Sequence, residues 1–198
     1  RSTSDPAVAP PPVTVSDALG DRRSCRSFTP EPLAAGLLDD LVDVARRTPT
    51  AGNCQGVEFL VLEGVDVGAY WDITLPADRP GGFPWPGLLN APALVVPFGL
   101  PGLYVSRYGE PDKASTGLGA GSEAWTVPYW LTDAAFAALA LQLLAIETGL
   151  ACCFFGLFEH EDAVRRRFGV PDGARAVGTV AIGRPEPSAA RSSRSAAR

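Results

Sequence analysis

The stretch that most constrains the fold is residues 132–149, which is apolar at almost every position and ends at Gly149. This composition predicts one helix of about five turns. A helix that is apolar on all faces has to be buried. One layer of neighbouring elements would leave a face of this helix in water, so we expect it to pack also against a second copy of the chain.

The rest of the chain predicts a mixture of strands and helices. Apolar runs bounded by turn residues predict four strands, at 57–62, 93–99, 151–155 and 176–183. Helical spacing of apolar residues predicts three further helices, at 13–19, 33–47 and 159–168. Many glycines, prolines and aromatic residues predict long loops over 64–92 and 101–130, with one short helix near Leu88.

With 198 residues, 46% of them apolar, the chain is long enough for one well-buried domain and short for two. We expect this domain to span residues 13–187. Residues 1–12 are rich in Ser, Ala and Pro, and residues 188–198 in Ser, Ala and Arg. These compositions predict a flexible N-terminal arm and a flexible, basic C-terminal tail.

Charge and residue usage disfavour several classes of function. A net charge of −5 disfavours nucleic acid or an anionic membrane as a partner. The four cysteines show no CxxC spacing and His160 is the one histidine, so we expect neither a metal site nor Ser-His or Cys-His catalysis. No uninterrupted apolar run of about 18 residues and no signal-peptide pattern are present, so we expect a cytoplasmic protein.

The segment 22–28, Arg-Arg-Ser-Cys-Arg-Ser-Phe, concentrates three guanidinium groups and two hydroxyls in an acidic protein. If it is extended, Arg22, Ser24 and Arg26 lie on one face. Two guanidinium forks and a hydroxyl on one face suit a phosphate, because charge-assisted hydrogen bonds are the stronger ones. A solvated basic turn is the alternative, and the segment taken alone favours it.

A second polar segment, residues 48–56, lies between a predicted helix and the first strand. Loops held between rigid elements are where binding sites form. Asn53 and Gln55 each carry a donor and an acceptor in one plane, matching the edge of a pyrimidine-like ring. A simple turn role for Asn53 is an equally good interpretation. Gly156 ends a predicted strand, where its missing side chain would let a flat ligand approach the backbone.

The segment 101–130 carries glycines and five aromatic residues, Tyr104, Tyr108, Trp125, Tyr129 and Trp130. Loops of this length inside a compact domain usually have a role. An aromatic lid that lines the substrate site, a dimer arm and a disordered insertion all fit this composition.

Four segments in order resemble motifs of the nitroreductase family of FMN-dependent oxidoreductases. Residues 22–28 are similar to its RRSxRxF motif and residues 48–55 to its APSxxNxQPW turn. Residues 149–156 are similar to its GLGxxWIG strand, and residues 168–185 to its LGLP…VALGYP ending. A predicted buried helix separates the second motif from the third, as in the family.

The resemblance implies an α+β fold, namely an α-β sandwich with a mostly antiparallel central sheet flanked by helices. It also implies an intertwined homodimer with two FMN sites at the interface. The residues that the family motifs match at these sites are Arg22, Arg23, Ser24 and Arg26 at the phosphate and pyrimidine end, Pro49, Thr50, Ala51, Asn53 and Gln55 from the partner subunit, Phe155, Gly156 and Leu157 at the reactive edge of the ring, and Arg191 or Arg194 at the phosphate.

Two departures from the family pattern stand out. Gln55, Gly56 and Val57 replace the family's Gln-Pro-Trp, so we expect looser local packing. The segment from Tyr104 to Trp130 matches no family motif and occupies the region that varies with substrate.

The function implied by the resemblance is ping-pong hydride transfer from NAD(P)H, through N5 of FMN, to an electron-poor acceptor such as a nitroaromatic or quinone. Arg26 or Arg23 would stabilise the reduced ring, and no side chain is needed as a nucleophile. Two alternatives stay open. One is an FMN-dependent oxidase or dehydrogenase of a dedicated metabolite, and the other is a protein that sequesters flavin without turnover.

Overall fold

The computed structural model describes residues 13–75 and 82–187. The predicted N-terminal arm and C-terminal tail, with Arg191 and Arg194, lie outside the described residues.

The described chain forms six α-helices and five strands. The helices are α1 (Val15–Asp21), α2 (Leu37–Ala45), α3 (Val65–Thr74), α4 (Pro101–Tyr108), α5 (Tyr129–Glu147) and α6 (Glu161–Phe168). The strands are β1 (Val57–Glu63), β2 (Ala93–Gly99), β3 (Ala151–Phe155), β4 (Arg175–Ala176) and β5 (Thr179–Gly183).

All strand pairs of the sheet are antiparallel, in the order β1-β2-β5-β3, and the short β4 pairs with the end of β2. The expected α+β fold with an antiparallel sheet is therefore confirmed. Val57 pairs with Gly99, and Phe155 with Thr179. The start of β1 and the end of β3 thus lie at the same end of the sheet, separated by the strands β2 and β5.

Helices cover both faces of the sheet, because the side chains of the central strands alternate between two apolar clusters. On one face Ala93 and Val95 pack with α2 and α5. On the other face Leu94, Val96 and Phe98 pack with residues of α3 and α6. Every residue of β2 is buried, as expected for a strand covered on both sides.

The helix α5 packs along the sheet, and eight of its residues are buried, Asp133 and Gln142 among them. Its opposite face is open in this chain, since Tyr129, Phe136 and Leu139 are 43%, 46% and 42% exposed. With 19 residues and a mean hydropathy of 1.5, α5 is long and apolar enough to cross a membrane by length and composition. Core helices of globular proteins meet the same criterion.

Two helices occupy segments that the sequence predicted as loops. The α3 helix buries Val67 and Tyr70, although Gly68 lies in its middle and lowers its helix propensity. The α4 helix begins at Pro101, where a missing backbone donor costs nothing, and buries Tyr104. The prediction of irregular structure over both stretches was therefore wrong in part.

The last predicted strand is two strands. β4 ends at Ala176 and β5 begins at Thr179, with Gly178 at a φ of 144° between them. Only glycine adopts such a backbone conformation readily, so the uniform apolar pattern of this stretch hides a break.

A capping box sets the start of α1. The Thr14 hydroxyl accepts the Asp17 N–H at 3.1 Å, and the Asp17 carboxylate accepts the Thr14 N–H at 3.1 Å. Since α1 ends at Asp21, its position fixes where the arginine segment 22–28 begins.

Candidate functional site

A cavity of about 620 Å³ lies beside the end of β3. Its walls come from Arg26, from aromatic side chains of α3 and the loop after it, and from residues 153–160. The volume is in the range of small-molecule sites, which run from about 300 to 1,000 Å³.

Aromatic rings form one wall of the cavity. The rings of Trp71 and Phe155 stack with their centroids 5.6 Å apart and their planes 16° apart. Phe83 lies 6.3 Å from Trp71, and Trp85 lies 5.9 Å from Phe83. The indole N–H of Trp71 is buried and has no acceptor among the described residues. The wall is thus aromatic and largely apolar, with one near-parallel ring pair, Trp71 and Phe155, and with Phe83 tilted by 45° to Trp71.

Arg26 places a positive charge on this wall. Its guanidinium lies 5.1 Å from the centroid of the Trp85 ring, within the distance of a cation–π contact. Glu159 and His160 also line the cavity, and their side chains lie 3.6 Å apart between Oε1 and Nε2.

At the end of β3, the ring of Phe158 packs on Gly156. A Cβ on Gly156 would meet this ring at 2.8 Å, so a side chain there would displace it. Phe158 is 80% exposed and has a φ of 49°, a strained conformation for a bulky residue. The Phe158 ring therefore occupies the space of the missing Gly156 side chain, and this ring is exposed to solvent instead of being packed in the core.

The arginine segment runs along the free edge of β3. The Cys25 N–H donates to the Cys152 carbonyl at 2.9 Å, and Ser24 bridges Cys152 in the parallel sense. This pairing brings Arg26 to the cavity. The Arg23 guanidinium instead turns back and donates to the carbonyls of Gly20 at 2.5 Å and Arg22 at 2.9 Å.

Burial keeps the thiols of Cys152 and Cys153 protonated. Burial raises the pKa of Cys152 to about 12, and the nearby charge of Arg22 offsets only part of the effect. Burial also raises the pKa of Cys153, which lines the cavity, against the opposing charge of Arg26. Both side chains therefore stay protonated near pH 7, which is consistent with redox chemistry supplied by a cofactor.

Residues 50–55, called the Asn53 turn from here on, precede β1 at the opposite edge of the sheet. Asn53 and Gln55 are exposed, and both have a φ of 53°. The Gln55 side-chain amide donates to the Asn53 amide oxygen at 2.6 Å, and the Gln55 N–H donates to the Thr50 hydroxyl at 3.1 Å. The turn does not reach the cavity of its own chain, so its place at the cofactor of a partner stays a prediction.

The five aromatic residues of segment 101–130 do not line the cavity of this chain. Tyr104, Trp125 and Trp130 are 0%, 7% and 7% exposed and form a closed cluster, with ring centroids 5.8 to 6.1 Å apart. Tyr108 packs on Trp125 at 4.7 Å, and Tyr129 is 43% exposed. Three of the residues predicted to touch substrate are therefore interior packing residues.

The expectation of looser packing beside Gly56 was also wrong. Gly56 is buried, and a Cβ there would overlap the ring of Tyr104. The phenol ring occupies the space that a side chain at position 56 would take, so the packing is tight.

Of the predicted site residues, the structure brings Arg26, Phe155, Gly156 and Leu157 together at the cavity. Arg22, Arg23 and Ser24 lie on the same segment outside its lining, and the residues predicted from a partner, Pro49 to Gln55, lie at the other edge of the sheet. Sequence reasoning missed several lining residues, Tyr70, Trp71, Phe83, Trp85, Phe158 and His160. Their aromatic content was visible in the sequence, but their meeting depends on how α3 packs.

The sequence model of the nitroreductase family matches residues 19–77 and 80–184. Comparison with the curated proteins gives no match.

Several solved structures share the fold. A nitroreductase family protein from Clostridium novyi NT is 22% identical, with 88% of this chain and 87% of that chain covered and a TM-score of 0.67. Nitroreductase CinD from Lactococcus lactis, in complex with nicotinic acid, is 16% identical, with 92% and 95% covered and a TM-score of 0.73. CinD has also been solved with chloramphenicol and with 4-nitrophenol. At these identities, the likeness shows a common fold.

Proposed function

Because the chain belongs to the nitroreductase family, we propose that it is an FMN-dependent oxidoreductase that moves hydride from NAD(P)H to an electron-poor acceptor. The flavin-type oxidoreductase class follows from the family. One observation carries the finer proposal: an aromatic cavity with a guanidinium on its wall and a glycine at the strand end beside it.

The residues present fit FMN. The cavity is large enough for a planar ring system, its wall is aromatic, and Arg26 can stabilise negative charge on a bound ring. Phe155 and Leu157 exclude water from the inner side, while Gly156 leaves the backbone accessible once the Phe158 ring moves. FMN, when bound, supplies the redox chemistry, and the side chains orient it and keep the site dry.

A homodimer would complete this site. The outward face of α5 exposes Phe136 and Leu139, a pair of large apolar side chains that a second copy would cover. The Asn53 turn does not line the cavity of its own chain, so contact with FMN is proposed to occur across the dimer. Light scattering of the eluted protein should give twice the chain mass, and a monomeric holoprotein would contradict this assembly.

We propose a small, flat acceptor, such as a nitroaromatic or quinone, and a cytoplasmic protein without nucleic-acid or membrane partners. The aromatic wall supports a flat acceptor, since aromatic rings attract one another in stacked or edge-to-face arrangements such as that of Trp71 on Phe155. CinD, which shares the fold, is seen with 4-nitrophenol and with nicotinic acid.

The test is an absorbance spectrum of the purified protein before and after anaerobic NADPH or NADH. A flavin spectrum that bleaches with either donor and recovers on adding a nitroaromatic supports the proposal, and protein without flavin contradicts it. Bound flavin that resists both donors but turns over with oxygen and a metabolite would indicate the oxidase alternative. Flavin that neither donor nor sulfite reaches would indicate sequestration.

A further inference from the structure

We propose that segment 101–130 and Asp133 hold the Asn53 turn in the shape that meets the FMN of the partner subunit, with Tyr104, Arg107 and Asp133 as positioning residues. The inference rests on the proposed function, because FMN is the ligand of the turn. It replaces the idea of a substrate lid for this segment.

The first contact is a buried carboxylate. Asp133 on α5 is 2% exposed, and its Oδ2 accepts the Ala51 N–H at 2.7 Å and the Tyr104 hydroxyl at 2.8 Å. Burying a carboxylate without hydrogen-bond donors is costly. Both donors are therefore needed to stabilise the buried Asp133 side chain. Together they tie the first residues of the turn to the core helix.

The Tyr104 hydroxyl is a permanent donor in this arrangement. Burial and the hydrogen bond to Asp133 raise the pKa of Tyr104 well above its usual value, so the phenol stays protonated. Its ring packs against Gly56, directly after the turn. Tyr104 therefore fixes the turn from both ends.

The second contact is made by Arg107 of α4. Its Nε donates to the Gly52 carbonyl at 2.9 Å, while its two terminal nitrogens donate to Asp112 at 2.7 and 2.8 Å. The bidentate pair with Asp112 orients the guanidinium, because both groups are planar. Arg107 is thereby directed at a backbone carbonyl of the turn.

The third contact is the packing of the Tyr108 ring against Gly52. Gly52 has a φ of 62°, and a Cβ there would meet the Tyr108 ring at 2.7 Å. Asn53 and Gln55 follow with positive φ as well. Non-glycine residues persist in this conformation only where their surroundings hold them, and segment 101–130 supplies those surroundings.

The closed state of the aromatic cluster argues against a lid. Tyr104, Trp125 and Trp130 pack on one another, and the Trp125 indole N–H donates to the Leu118 carbonyl at 2.9 Å. These rings offer no open face to a substrate in this chain. Their position against Ala51 and Cys54 fits a support for the turn.

A double-mutant cycle tests the proposal. FMN is titrated into the apoprotein of the wild type and of three single variants, Asn53→Ala, Arg107→Met and Tyr104→Phe. It is also titrated into two double variants, which combine Asn53→Ala with Arg107→Met or with Tyr104→Phe. We expect each single change to weaken FMN binding about tenfold, the size of one hydrogen bond. In the Asn53→Ala background we expect Arg107→Met and Tyr104→Phe to add less than about twofold, because they act through Asn53.

Arg184→Met is the matched control, since Arg184 pairs with Glu31 on the surface and contacts neither the turn nor the cavity. It should leave FMN binding unchanged. Thermal unfolding of each variant identifies losses that come from misfolding, and Tyr104→Phe, which removes one oxygen, is the gentler variant. The inference is overturned if Arg107→Met and Tyr104→Phe bind FMN as tightly as the wild type does. It is also overturned if their losses of FMN affinity add fully to that of Asn53→Ala in the double variants. Wild-type protein that binds no FMN overturns the proposed function itself.

Discussion

The cavity beside β3 and the Asn53 turn lie at the same end of one sheet, yet they are built from different interactions. The cavity wall consists of ring contacts such as Trp71 on Phe155, with a cation over Trp85. The turn is fixed by hydrogen bonds, including those of Asp133 and Arg107, at 2.7 to 2.9 Å. Ring contacts depend weakly on direction, whereas hydrogen bonds weaken steeply when they are misaligned.

Under the proposed function, this difference would let the protein bind one cofactor and several acceptors. An aromatic wall accommodates flat molecules of different outline, because stacking requires only a parallel face. A turn held in one conformation presents its donors and acceptors in one arrangement, which suits a single partner group. We therefore expect changes to the rings of the cavity wall to alter which acceptors bind, and changes around the turn to alter stability and cofactor affinity together.

The largest expected effect is at the cavity edge, from replacing Arg22 and Arg26 by alanine together. We expect purified protein without flavin and an FMN affinity reduced at least about 100-fold, since charge-assisted bonds to phosphate and ring are lost. FMN titration and the visible spectrum measure this. The double variant Arg167→Ala/Arg184→Ala removes the same charge from surface positions and should stay yellow. A yellow, fully loaded Arg22/Arg26 variant would refute the assignment of segment 22–28.

The second effect concerns the stability of the turn. In Gly56→Ala the new methyl group overlaps the Tyr104 ring, so we expect a loss of about 1 to 3 kcal/mol in the free energy of unfolding. Gly68→Ala in α3 is the matched control, because nothing lies within 4 Å of that position. It should stabilise by up to about 1 kcal/mol. If Gly56→Ala and Gly68→Ala changed the free energy of unfolding in urea equally, the turn would be no more tightly packed than the surface.

The two regions also differ in how much of their structure could be predicted from the sequence. The strands and α5 could be predicted because apolar periodicity is local, and Gly156 because a glycine at a strand end has few other uses. The α3 helix was missed because Gly68 and two aromatic residues obscure its pattern. The support of the Asn53 turn could not be predicted, since Asp133 and Ala51 are 82 positions apart and meet only through the packing of α5.

A smaller effect follows from the ion pair behind the turn. The hydrogen bond from Arg107 lowers the pKa of Asp112 below its usual 3.8. A lowered carboxyl pKa stabilises the fold fully above that usual value, and the contribution is lost as the pH falls through the lower, folded-state pKa. We therefore expect the stability difference between wild type and Asp112→Asn to be constant from pH 5 to 7 and to shrink below about pH 4.

Asp162 provides the comparison for this pH series, because Arg165 lowers its pKa in the same way. Asp162→Asn should show the same pH dependence of unfolding. Only Asp112→Asn should also weaken FMN binding, by about twofold, because only Asp112 orients a side chain that contacts the turn. If both variants weakened FMN binding equally, the two regions would not be distinct.

The last prediction concerns Phe158, and it tests whether the cavity mouth is as loosely held as its contacts indicate. Phe158→Gly removes an exposed ring and relieves the positive φ, so the free energy of unfolding should change by no more than about 1 kcal/mol. The KM for a nitroaromatic acceptor should rise between about twofold and tenfold, since one aromatic ring of the cavity lining is lost. Phe158→Leu removes the ring but keeps a side chain at a strained, positive φ. It should therefore raise the KM as much as Phe158→Gly does, without the stabilisation that glycine gives at this backbone conformation. A loss of several kcal/mol in Phe158→Gly would instead show a ring that is packed as firmly as Tyr104, and the contrast between an adaptable cavity and a fixed turn would fail.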